Sequence, residues 1–98
     1  LLIVSVRIAA HPKVPELEQI LSVGAAAQNI LLMLHARGYA GMWRTGAPAY
    51  DEHVKEALGL ARADAIVGFV YAGTPTTTPP QIPRAAPGDF VTEWNGPI

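Results

Sequence analysis

"ILSVGAAAQNILLML", residues 20–34, carries only three polar side chains, Ser22, Gln28 and Asn29. A surface helix shows one apolar stripe, whereas this stretch is apolar nearly all round, the pattern of a buried helix. Its bounds are read from its flanks. Pro15 suits a first helical turn, and Gly38 is a C-terminal stop, so the helix is expected from about Glu16 to Arg37. The apolar stretch is about 15 residues, broken by adjacent amides, and a membrane span takes roughly 20. We therefore read a central helix between a sheet and a second body, with a second subunit as the natural candidate for that body.

Two apolar runs flank the helix. "LLIVSVRIAA" (1–10) reads as a strand covered on both faces, ended by Pro12 and Pro15 in "HPKVPE". It starts without Met, basic n-region or cleavage site, so it reads as a strand already under way in a longer chain and not as a signal peptide. "DAIVGFVYAG" (64–73) is the second clear strand, apolar throughout and so central. Between helix and strand, "APAYDEHVKEALGL" is expected to form a short amphipathic helix. Val54, Ala57 and Leu58 make its apolar face, Asp51 and Glu52 stand at its positive end, and Gly59 stops it. The remaining stretch holds six prolines from Pro75 to Pro97, which excludes regular structure, yet it carries Phe90, Val91 and Trp94. An extended arm with apolar anchors lying along another surface is the expectation, giving one domain with a 1–73 core and a 74–98 arm.

Composition narrows the chemistry. At 98 residues, half of them apolar, there is room for one modest core. A net charge of −1 with scattered Lys and Arg lacks the driving term for nucleic acid or an anionic membrane. The absence of cysteine excludes disulfides, thiolate metal sites and thiol chemistry, and fits a cytoplasmic protein. His11, His35 and His53 lie 24 and 18 residues apart and none has a second His or Cys at i+3 or i+4, which argues against a metal site. Ser22 and His35 lie about 20 Å apart along one helix, too far for a nucleophile and its base. Glu16 and Glu18 read as charges favoured at a helix N-terminus.

"GMWRTG" (41–46) remains. Gly41 lets backbone approach a ligand closely. Arg44 offers a permanent charge and a fork of donors suited to phosphate or a flavin pyrimidine edge. On local chemistry alone, an ordinary strand with Trp43 in the core and Arg44 as a surface charge is the favoured reading.

The order of these pieces resembles the C-terminal half of the flavin-dependent nitroreductase superfamily, nearest its small YdjA-like subgroup. The resemblance rests on "KVPELEQ" before the long helix, "ARGYAGMWRTG" after it and "IVGFVYAGTP", with a weaker echo in "FVTEW". It implies an α+β fold on a mixed, mostly antiparallel sheet, with a long buried central helix and an extended C-terminal arm. It also implies an intertwined homodimer with FMN at the interface and the arm reaching over the partner. Gly41, Met42, Trp43 and Arg44 are the cofactor-binding residues it implies: Arg44 on the phosphate, Gly41 and Met42 bringing backbone to the flavin, Trp43 against the cofactor or holding the turn.

The implied activity is hydride transfer from NADH or NADPH to flavin N5, then reduction of a small-molecule acceptor such as a nitroaromatic or quinone. No side-chain acid, base or nucleophile is nominated. The family's N-terminal half, with its Arg-Arg-Ser-type phosphate-binding segment, has no match in these residues. By themselves they are expected to bind FMN weakly or not at all and to leave an apolar face open. Two alternatives stand beside this: a same-fold dehalogenase or heterocycle dehydrogenase, and a dimerisation or packing module without activity of its own.

Overall fold

The computed structural model describes residues 1–97; the last position of the arm lies outside the described residues. Three strands, β1 (Leu2–Val6), β2 (Ala40–Arg44) and β3 (Ala65–Gly73), form one sheet in the order β1-β3-β2. β3 is the centre, as its unbroken apolar run predicts. Both pairings are antiparallel, so among the described residues the sheet is antiparallel and not mixed. Two helices complete the core, α1 (Glu16–Ala36) and α2 (Glu52–Ala57).

Buried and part-buried residues alternate along β3 from Ala65 to Val70, as they must when successive side chains point to opposite faces. Val70 is fully buried, with Ile66 and Val6 close behind. β1 is shorter than the 1–10 run: Arg7 onward leaves the ladder, and Leu2 and Ile3 are exposed rather than covered. Its register against β3 shifts between Val4 and Ser5, leaving Val67 without a partner on β1.

α1 ends where glycine demands it. Arg37 is the C-cap, Gly38 takes φ 81°, its N–H bonds the His35 carbonyl, and the Tyr39 N–H bonds that of Leu34. This is the Schellman arrangement, in which a left-handed residue turns the last amides back on the final turn. Gly59 repeats it after α2, with φ 70° and paired bonds to Glu56 and Lys55. The "APAYDEHVKEALGL" segment is a 3-10 turn (Ala47–Tyr50) followed by the six-residue α2, not one helix. Asp51 separates them, its side chain accepting from the His53 and Val54 amides as an N-cap.

The buried-helix expectation is corrected by the structure. Ala27 alone in α1 is fully buried, while Leu17, Leu21, Leu32 and Met33 stand more than half exposed. The reason is geometric. A helix meets a sheet along one strip, and this chain provides one sheet of three strands; nothing among the described residues covers the helix's other side. At 21 residues, α1 is long and apolar enough to cross a membrane by length and composition, more than its 15-residue apolar stretch implied. Its packing on all three strands is that of a helix layered on a sheet.

The arm is extended apart from one 3-10 turn at Pro87–Asp89. Phe90, Val91 and Trp94 are 78%, 70% and 79% exposed, so these anchors have no surface to grip within the chain. The radius of gyration, 17.5 Å, exceeds the roughly 12.6 Å of a compact domain of this length for the same reason.

Candidate functional site

β2 is where the candidate residues stand. The Gly38 turn reverses the chain after α1 and lays Ala40–Arg44 antiparallel on β3, pairing Gly41 with Ala72, Met42 with Tyr71, Trp43 with Val70 and Arg44 with Phe69. Residues directly opposite in such a ladder share a face. The strand therefore divides the four candidates. Gly41 and Trp43 lie on the face toward α1 with Val70, and Met42 and Arg44 lie on the other face with Tyr71 and Phe69.

On the α1 side the choice of residue follows the available space. A Cβ on Gly41 would sit 2.9 Å from the tips of both Leu31 and Leu34, so α1 lies close over this position. Trp43 lies over Gly68 of β3, filling the space a Cβ there would need. Its indole Nε1–H donates to the Val67 carbonyl at 3.0 Å. Trp43 is thus held by β3, whichever surface its exposed edge meets.

On the far face the side chains are available. Met42 is 53% and Tyr71 52% exposed, and Ile3, opposite Phe69 on β1, extends the apolar surface. Arg44 is exposed, and among the described residues the ion pairs are those of Glu52 with Lys55 and Arg62, leaving its guanidinium uncommitted. Met42 and Arg44 are two residues apart on one strand, about 7 Å. A groove of about 350 Å³ opens at the Ala40 end, lined by Gly41, Met42, Tyr71, Gly73 and Thr74. A larger one, about 730 Å³, lies between the α1 C-terminus and the root of the arm, bordered by His35, Tyr39, Gly41 and Thr76–Thr78.

Several residues that read as chemistry are structural. His11 Nδ1 accepts from the Lys13 and Val14 amides, closing the turn before α1. Gln19 bonds both the N–H and the carbonyl of Ala9 and the carbonyl of Val14, clamping that loop to the helix. Glu16 and Glu18 stand in the first turn of α1 as expected of dipole-favoured charges. No cluster of metal-ligating side chains occurs among the described residues.

Sequence reasoning missed two participants. Asp64, 7% exposed, takes the Ile8 amide on one carboxylate oxygen and the Ala61 amide on the other, tying the end of β1 to the turn before β3. Its signal was a carboxylate immediately before a wholly apolar strand. Tyr71 joins Met42 only through the register, which no local pattern reveals.

A flat, anionic cofactor such as FMN needs a permanent cation, peptide groups free to meet its polar ring edge and an apolar surface for the ring. β2 is an edge strand with one side of its backbone unpaired, Arg44 is uncommitted, and Met42 with Tyr71 forms the apolar surface. These residues fit such a group, with Arg44 as the single cation they bring to it.

Comparison with known proteins gives a consistent outcome. A family model described as "Nitroreductase family" matches residues 1–74. The chain is 41% identical over 83 residues to "Putative NAD(P)H nitroreductase YdjA" of Escherichia coli K12, covering 82% of this chain and 44% of that protein. It is 34% identical over 62 residues to "Putative NAD(P)H nitroreductase" of Haemophilus influenzae Rd, covering 63% of this chain and 34% of that one. Among solved structures, a nitroreductase-like family protein from Bacillus cereus superposes with a TM-score of 0.72 at 26% identity, over 81% of this chain and 42% of the other. The chain thus spans less than half the length of the curated relatives it matches.

Proposed function

Because the chain belongs to the nitroreductase family, we propose that it is the C-terminal part of an FMN-dependent NAD(P)H oxidoreductase acting on nitroaromatic or quinone-type acceptors. The observation that carries the proposal is the far face of β2: an uncommitted Arg44 beside exposed Met42 and Tyr71, on the free edge of the sheet. FMN, when bound, supplies the two-electron chemistry linking a nicotinamide donor to the acceptor.

The chain's own contribution is binding and orientation. Arg44 neutralises phosphate charge through its guanidinium, whose fork of donors matches phosphate oxygens. Met42 and Tyr71 exclude water from one side of the ring. The backbone of Gly41–Arg44 offers N–H and carbonyl groups along the strand edge, so all four residues take part, Gly41 and Trp43 through their main chain. No side chain here has to carry a proton.

The exposed apolar side of α1 and the anchors of the arm support the homodimer implied by the family resemblance, with FMN between two protomers. The same exposure favours a second reading, in which these residues by themselves are a packing module without activity. An absorption spectrum with intact mass on the same purified protein separates the two. Flavin bands that bleach with NADH or NADPH support the oxidoreductase. These residues staying colourless after FMN is added, at confirmed mass, support the packing module, and a longer protein containing them together with a nitroreductase N-terminal half that also stays colourless refutes the oxidoreductase.

A further inference from the structure

Trp43 is the one candidate whose side chain already has a built partner. Val67 is the residue that the β1–β3 register skips, between the pairs Val4–Gly68 and Ser5–Ile66. On its other side, β2 ends with Arg44 opposite Phe69, so Val67 lies beyond that ladder as well. Its carbonyl is outside both pairings and is taken by the Trp43 indole N–H at 3.0 Å. Next to it, Gly68 leaves open the space in which the indole lies. Bulge, glycine and indole form one lock at the end of β2, and the residue after Trp43, on the opposite face, is Arg44.

We propose that Trp43 is a positioning residue for Arg44: its indole, held on Val67 and Gly68, fixes the last residue of β2 so that the guanidinium projects from the far face toward a phosphate-bearing ligand. Arg44, opposite Phe69, is the last pair of its ladder, and the ends of strands are where pairing opens most readily. Here Trp43 supplies that hold from the α1 side, leaving the far face clear. The inference rests on the reading of Arg44 as the phosphate ligand.

The test uses the intact protein and two flavins, FMN and riboflavin, which differ by the phosphate. Trp43→Phe keeps an aromatic ring over Gly68 and loses the N–H. It is expected to weaken FMN binding about three- to tenfold, in line with the removal of one hydrogen bond, and to weaken riboflavin binding measurably less. In an Arg44→Gln background the same substitution is expected to add nothing, because its effect runs through the guanidinium. Equal weakening toward both flavins, no weakening toward either, or an additive double variant overturns the inference. If Trp43→Phe does not fold, Gly68→Ala, which displaces the indole from the neighbouring strand, is judged by the same outcomes. Failure of the underlying reading looks different: Arg44→Gln then leaves the preference for FMN over riboflavin intact, whatever Trp43 does.

Discussion

The two faces of this sheet are made from the same three strands and follow different rules. Toward α1, residue identity is set by space: Val70 is fully buried, Gly41 sits beneath two leucine tips, and Gly68 sits beneath an indole. On the far face, Met42, Tyr71 and Arg44 are exposed, and space constrains them little. Apart from Trp43, which acts on Arg44, substitutions facing α1 should therefore be read in stability, and those on the far face in binding.

The severest test of that division is Gly68→Val. Its side chain competes with Trp43 for one volume, and overpacking of this kind costs about 3 kcal/mol, seen as a lowered denaturation midpoint. An unchanged midpoint would mean the indole is not seated there. Val70→Ala comes next at about 2 kcal/mol, the order expected for emptying a fully buried aliphatic site. On the far face, Arg44→Gln should leave the midpoint within about 0.5 kcal/mol. It should weaken FMN binding about tenfold, because a neutral amide cannot replace the charge-assisted hydrogen bonds of a guanidinium to phosphate. A large stability loss with unchanged flavin affinity would reverse the roles of the two faces.

Gly41→Ala sharpens the comparison from within the inner face. Its added methyl meets only the far ends of Leu31 and Leu34, which can rotate away, and the unfolded chain loses some freedom. A net change within about 0.5 kcal/mol is expected, although Gly41 and Gly68 look alike in sequence. The smallest effect belongs to Glu52→Gln. Its pairs with Lys55 and Arg62 are 3.5 and 3.6 Å long, and the Glu52 carboxylate they share is half exposed, so they contribute a few tenths of a kcal/mol.

What could be read without the structure follows the range of the interaction. Gly38 and Gly59 were legible as helix stops because a left-handed terminus is a local demand that glycine meets. β3 was legible as central because a continuous apolar run marks a strand with neighbours, and it pairs with one on each edge although its far face is open. The motif GMWR was legible as a place of interest, but its division into two faces depends on β2 being a paired strand. The register that puts Trp43 on Val70 and frees Val67 joins residues 24 or more positions apart. The exposure of α1 was misread for a related reason. Apolarity all round reports that a helix is to be covered, not that these 98 residues contain the cover.

The order of strands also has a consequence in time. The central strand is the last of the three along the chain, and Leu2 waits for Val70 and Gly41 for Ala72. β1 and β2 cannot pair with each other, so during synthesis no part of the sheet can close before residues 65–73 have emerged. Until then these three strands offer α1 no assembled sheet to lie on. Closure of that wide loop, more than helix formation, should set the pace of folding. This makes the nascent chain, with its long greasy helix already formed, the species most exposed to aggregation and to chaperone capture.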